Sequence, residues 1–384
     1  MLCNLKDKDW AVLTHAGRFD ASANGMELMH WRLGSQAIRL NQLKRGFYEP
    51  GLLAKVMGLN KQPLRKISSL QDVKLFPDVT CEPVNAEHPQ LVVKLKNRGG
   101  GIGQIEVRVN GKEVAEDASP RGLDRDAQQA TVSVDLSNAA TIAGAPNEIT
   151  VIAHNRNGDL SSRAIRLTFT PKAVSSRADI NVYAIIGGVS HYADPELDLK
   201  YSGKDATDIA KGIELGAKKL FGADRVHVTL LSSLVDSAAG QPTKENFASA
   251  FDTATAAKPQ DILIVYLAGH GTTLAMGEDK YYYLTADSKK SDLSSLKLLE
   301  RSAISSEQLA EWVKKVPALK QILILDTCAA GAACAKLTER RDIPGDQIRA
   351  IDRLKDRVGF YVLMGCAADA VSYETSRYGQ GVLT

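Results

Sequence analysis

Two stretches of this chain hold residue types suited to nucleophilic chemistry. The first is Gln321-Ile-Leu-Ile-Leu-Asp-Thr-Cys-Ala-Ala-Gly331. Its apolar run, Ile322 to Leu325, reads as a fully buried central strand. It ends in a carboxylate (Asp326), a hydroxyl (Thr327) and a thiol (Cys328), followed by small residues. The second is Asp261-Ile-Leu-Ile-Val-Tyr-Leu-Ala-Gly-His-Gly271, a strand of the same design ending in Ala-Gly-His-Gly. Ligands of open α/β sheets bind at the carboxyl edge of the strands. Two such strands would deliver His270 and Cys328 to that edge. A thiol attacks as the thiolate, and a neighbouring imidazole can generate it. Gly269 and Gly271 let the backbone turn sharply and approach a substrate. The backbone N–H groups of Gly271 and Cys328 are candidates to face a developing oxyanion.

The elements that must hold this pair alternate between strand and helix. Strands are expected at Ile180–Ile186, Val226–Leu231, Asp261–Leu267, Tyr281–Leu284, Gln321–Asp326 and Val358–Met364. Helices are expected from Ser202, with a stripe of Ala206, Ile209, Ala210, Ile213, Ala217 and Leu220, and from Thr243, Ser305 and Asp346. This order predicts an α/β domain over 180–384 with a mostly parallel sheet covered on both faces. A further C-terminal helix is expected beyond Thr384.

Upstream the period changes. Leu91–Lys96, Ile105–Val109, Thr131–Leu136, Glu148–Ala153 and Ala164–Thr170 alternate in and out, and turn residues separate them. Residues 71–171 therefore read as an all-β, immunoglobulin-like sandwich, and Asn110-Gly111 is a hairpin signal. The segment holds one Cys and no Trp, so a disulfide-centred core is excluded. The Gly99–Gly103 run opens a strand and is read as a loop. Residues 1–70 show short strands, an Asn24-Gly25 turn signal and two short helical patterns split by Pro50-Gly51. They are expected to form a docking and linking segment with little core of its own. Residues 172–179 read as a linker.

The five cysteines, Cys3, Cys81, Cys328, Cys334 and Cys366, show neither zinc spacing nor a disulfide framework. The net charge of +3 is small for 384 residues and no basic-aromatic cluster accompanies it, so nucleic acid is not an expected partner. No signal peptide and no apolar run of about 18 residues occurs, which excludes a membrane span and predicts a cytoplasmic protein.

Ala268-Gly269-His270-Gly271 and Asp326-Thr327-Cys328-Ala329-Ala330-Gly331 resemble the His-Gly and Asp-x-Cys-x-x-Gly boxes of the caspase-like cysteine peptidases, the clan of caspases, metacaspases and paracaspases. Val182–Gly188, Lys204-Asp205-Ala206 and Gly365–Ala370 agree, and the resemblance covers about Ile180 to Thr384. It implies a caspase-hemoglobinase fold and an endopeptidase with Cys328 as nucleophile and His270 as its base or ion-pair partner. In metacaspase-like members the positions of Asp205 and Asp326 line the first specificity pocket. Two carboxylates there favour a guanidinium or ammonium, so cleavage after Arg or Lys is expected, not after Asp. No Arg lies between Gly187 and Asp205 to bind an acidic side chain. Many metacaspases carry an acidic calcium site, but Ser302–Ser306 holds no acids and Asp287 is isolated. No metal or cofactor is expected, and calcium dependence is not.

Arg340-Arg341 is the best candidate for self-processing in the loop after the catalytic Cys, with a solvated basic loop as the equal alternative. His191 is read as a loop residue at the same sheet edge, and Cys334 and Cys366 receive no catalytic role. Asp9–Gly58 is similar to the segment linking a WD-repeat propeller to a caspase-like domain in some bacterial proteins. The expected partners are protein or peptide substrates, and a protein bound through the N-terminal segment and the sandwich. The competing reading is a catalytically silent adaptor of the same fold.

Overall fold

The apolar run of Ile262–Thr273 leaves neither face to solvent, and this strand forms the middle of a seven-stranded sheet. We call it the His strand. Its parallel neighbours are Val182–Gly188 on one side and Lys320–Ala329, the Cys strand, on the other. Val226–Ser232 pairs outside the first and Tyr361–Met364 outside the second, both parallel. The end of the His strand also pairs antiparallel with Tyr281–Leu284, which pairs in turn with Ala303–Ser305. The sheet is therefore mostly parallel.

This computed structural model describes residues 1–5, 8–60, 62–85, 89–171, 180–273, 280–329, 348–352, 361–364, 374–375 and 380–381. For 328–329, 364, 374–375 and 380–381 the backbone alone is described. Arg340-Arg341, Cys334, Cys366, Gly365–Ala370 and the 172–179 linker lie outside these residues. The chain divides into two units, Met1–Val174 and Ser175–Thr384.

In the second unit, side chains alternate between two cores, as a strand period of 2 requires. Leu263, Val265, Leu267, Leu323 and Leu325 enter a large cluster with Phe247, Phe251, Leu309 and Val313. Ile264, Tyr266, Ala268 and Ile324 enter a smaller one with Ala206 and Ala210. The first cluster is covered by helices Lys244–Ala254 and Ser306–Lys315, capped at Thr243 and Ser305 through side-chain acceptance of Asn246 and Gln308 N–H groups. This is the ordinary N-cap device. The second is covered by helix Ser202–Phe221. Its N-cap is Tyr201 and not Ser202, which is the first helical residue. The apolar stripe ends at Ala217, because Leu220 is exposed.

In the first unit, two antiparallel sheets share one core. The first has the order Gln129–Asp135, Gln90–Lys96, Asp78–Cys81. The second has the order Ile165–Phe169, Asn147–Ala153, Ile105–Val109, Lys112–Ala115. Leu91, Val93, Val107 and Val151 pack between them. The hairpin turn is Asn110-Gly111, with φ of +51° and +79°, the signs a type I′ turn needs. Residues 1–70 do have a core, with Phe19, Ile38, Leu40, Leu43 and Phe47 packed around Leu160 from the sandwich side. A reciprocal bond pair ties them there: Gln42 Nε2 donates to Ser161 O, and Ser161 N donates to Gln42 O. Asn24-Gly25 is not a turn, because Ser22 accepts from Gly25 N and caps a short helix, Ala23–Leu28.

Candidate active site

The His strand and the Cys strand run parallel in unbroken register from Ile262↔Lys320 to Gly271↔Ala329. His270 is the register partner of Cys328. Neighbouring strands lie about 4.8 Å apart, so the two backbones bring these positions one strand spacing apart at the carboxyl edge.

His270 is buried, and two of its hydrogen bonds come from one loop. Nε2 lies 3.0 Å from the carbonyl of Leu197. A carbonyl only accepts, so Nε2 carries the proton and Nδ1 is the basic nitrogen of the neutral ring. The backbone N–H of His270 donates to Tyr192 Oη at 3.0 Å, and the two rings lie 5.4 Å apart. Gly269 has a φ of +146°. A Cβ there would stand 2.9 Å from Tyr192 Oη, so both conformation and space call for glycine. A Cβ on Gly271 would overlap the Tyr281 ring.

Asp326 is buried and accepts a bond from Tyr266 Oη at 3.1 Å. Tyr266 belongs to the small cluster under helix Ser202–Phe221, which also holds Ala206. Asp205 lies in the first turn of that helix and is 2% exposed. Its burial argues against a solvated helix residue. Both carboxylates thus belong to the helix Ser202–Phe221 side of the sheet, one through Tyr266 and one through its own helix.

Tyrosines around this edge carry no motif. Tyr281 Oη donates to Thr327 Oγ1 at 2.8 Å, and Tyr283 Oη donates to the Ala268 carbonyl at 2.9 Å. They fix the residues flanking Cys328 and His270. Burial holds the Tyr283 hydroxyl well above its usual pKa, so it acts as a fixed donor. The stronger sequence signal was Tyr266 itself, a polar tip inside an apolar strand that must find a partner. The run Tyr281-Tyr-Tyr was a second, weaker one.

The remaining candidates separate clearly. His191 is exposed and pairs with Asp198. Asp287 Oδ2 accepts from Lys244 N, at the start of a helix, and from Thr285 Oγ1. Among the described residues no group of three or more His, Cys, Asp or Glu could hold a metal ion. No helix among them is long and apolar enough to cross a membrane. Burial pushes the Cys81 thiol up to about 11, which makes it inert as a nucleophile.

A caspase-domain family model matches residues 181–382, more than half of the chain. The chain belongs to the caspase-domain family, and this membership supports a peptidase of the hydrolase class. No curated protein matches it. Solved structures similar to it include a putative polysaccharide deacetylase of Bacillus anthracis, with 10% identity over 75% of this chain and 80% of that one and a TM-score of 0.19. A Bacillus cereus polysaccharide deacetylase shows 9% identity over 74% and 79%, with a TM-score of 0.18. A Yersinia enterocolitica family 28 exopolygalacturonase shows 14% identity over 52% and 28%, with a TM-score of 0.17. Such scores carry no argument about fold or function.

Proposed function

We propose that this chain is a cysteine endopeptidase working through a Cys328–His270 dyad and cleaving after Arg or Lys. The observation that carries this reading is the strand register that makes His270 and Cys328 neighbours at the carboxyl edge. The Cys328 thiolate adds to the scissile carbonyl carbon, and the oxygen takes the negative charge. The backbone N–H groups of Gly271 and Cys328 are its proposed donors. The C–N bond then breaks, and the leaving amine takes a proton from the His270 imidazolium. Water, deprotonated by His270, hydrolyses the thioester and returns the thiol. In each step Nδ1 moves the proton, because Nε2–H is committed to Leu197 O.

Asp205 and Asp326 are the proposed acceptors for the basic side chain preceding the cleaved bond. Tyr266 orients one of them. No metal or cofactor enters these steps, and turnover is expected to be indifferent to a calcium chelator. We read the two-sheet sandwich as immunoglobulin-like, with residues 1–70 docked on it as a candidate surface for a protein partner. A cytoplasmic site fits the reading.

The test is hydrolysis of matched fluorogenic peptides ending in Arg, Lys or Asp, by wild type, Cys328→Ala and His270→Gln. Turnover of Arg or Lys peptides that vanishes in both variants is the expected result. Turnover after Asp alone would remove Asp205 and Asp326 from their roles. If no peptide is cut, and an arginyl chloromethylketone fails to label Cys328, the silent adaptor takes its place.

A further inference from the structure

Two groups that hold the catalytic histidine sit on one stretch of loop, Ser190 to Lys200. Leu197 supplies the acceptor for Nε2, and Tyr192 supplies the acceptor for the His270 backbone N–H. Neither group can hold its place unless the loop keeps its curvature. Two fastenings close that curve: Leu199 N donates to Ser190 O at 2.9 Å, and the Asp198 carboxylate supplies the side-chain one. Asp198 Oδ1 accepts the Tyr192 backbone N–H at 2.9 Å, and Asp198 Oδ2 lies 3.0 Å from His191 Nδ1. Asp198 therefore ties the two ends of the loop across the residues that touch His270, and it is the next residue after Leu197.

Further fastenings of the loop lead elsewhere. Ser190 N and His191 N donate to Ser233 Oγ, Ala193 N donates to Ala286 O, and Lys290 N donates to Asp194 Oδ2. The Glu196–Lys290 ion pair is exposed on both sides. These hold the loop against its neighbours. None of them sets the distance between Tyr192 and Leu197.

We propose that Asp198 is a positioning residue for His270: by closing the Ser190–Lys200 loop on the Tyr192 N–H and the His191 ring, it sets the Leu197 carbonyl that fixes the imidazole tautomer. The role rests on the peptidase reading, but its structural core is independent of turnover. Without the carboxylate, Leu197 O drifts from Nε2, the Nδ1–H tautomer becomes competitive, and the nitrogen that must accept the thiol proton is blocked in part of the population.

The experiment uses the full chain with 15N-labelled histidine. The imidazole nitrogens of His270, assigned by their loss in His270→Gln, are recorded above the imidazole pKa in wild type, Asp198→Ala, Asp198→Asn and Glu196→Gln. Wild type and Glu196→Gln are expected to show the Nε2–H tautomer alone, and Asp198→Ala a mixture. Asp198→Asn keeps an oxygen for the Tyr192 N–H, so it restores the single tautomer. In peptide hydrolysis, Asp198→Ala should lose kcat by about 10- to 100-fold, the range expected for a misoriented base, with KM changed less than about 3-fold. An unchanged tautomer in Asp198→Ala, or an equal change in Glu196→Gln, overturns the proposal. If Asp198→Ala does not fold, failure of Asp198→Asn to keep the wild-type tautomer overturns it. A wild type that shows the Nε2–H tautomer but cuts no peptide sinks the peptidase reading and leaves the role of Asp198 to be decided by the spectra.

Discussion

Replacing Gly269 by Ala should cost the caspase-domain unit about 2–4 kcal/mol, and the sum can be built from two parts. The φ of +146° is a conformation that costs a residue with a Cβ about 1–3 kcal/mol. The new methyl would also stand 2.9 Å from Tyr192 Oη, so the hydroxyl must retreat from the His270 N–H it now accepts at 3.0 Å. Losing that buried bond adds about 1 kcal/mol. For a unit of this size the total corresponds to a melting temperature lower by roughly 5–15 °C. Trp312 is the one tryptophan of this unit, packed on Phe251 at 5.4 Å. In a Trp10→Phe, Trp31→Phe background its fluorescence reports this unit alone during urea unfolding. Adding Tyr192→Phe separates the parts, since the double variant no longer has a hydroxyl to displace. The double variant should be less destabilised than the sum of the singles by about 1 kcal/mol, a coupling typical of residues in contact. A Gly269→Ala loss below about 0.5 kcal/mol, or additive costs, would refute the reasoning.

Other expectations follow from groups away from the dyad. Tyr266→Phe removes the bond to Asp326 at 3.1 Å and should raise KM for Arg and Lys peptides several-fold while leaving kcat nearly unchanged, read by steady-state kinetics. In the first unit, burial pushes the Asp20 carboxyl up to about 6 from 3.8. Between those values the folded chain keeps a proton that the unfolded chain has released, so stability falls as pH rises through the window, by about 3 kcal/mol. Asp20→Asn keeps an oxygen for Gly51 N and should flatten that slope, measured by unfolding in a Trp312→Phe background. Burial also brings Lys112 down to about 7 from 10.5. There the unfolded chain holds the extra proton, so stability rises with pH from about 7 to 10, and Lys112→Met should abolish the rise.

How much of this was legible in the sequence depends on whether the deciding force was local. Thr243 and Ser305 were readable as helix starts because a cap is satisfied within three residues. The central strands were readable from their apolar runs, and Asn110-Gly111 from its need for positive φ. The Asn24-Gly25 signal misled because Ser22, two residues earlier, captured the Gly25 N–H. The core of residues 1–70 was invisible because it is completed by Leu160, far along the chain. At the site, both boxes were visible, but the register that joins them was not. Neither was the role of Leu197, which acts through its backbone and so leaves no side-chain trace. Helix Leu296–Ser302 and strand Ala303–Ser305 also went unread. Both are short, and the strand takes its geometry from its pairing with Tyr281–Leu284.

The pairing of His270 with Cys328 through a strand ladder has a consequence for how such a chain can change over time. The distance between the two positions is measured by hydrogen-bonded rungs, not by the length of chain between them. Residues can be gained or lost in the loops that join the elements between Thr273 and Lys320 without altering the pair, whereas one residue added inside either strand shifts every rung beyond it. Indels should therefore be common among descendants in the connecting loops and rare within Ile262–His270 and Lys320–Cys328. A search for distant kin is best framed as two rigid words separated by a gap of any size.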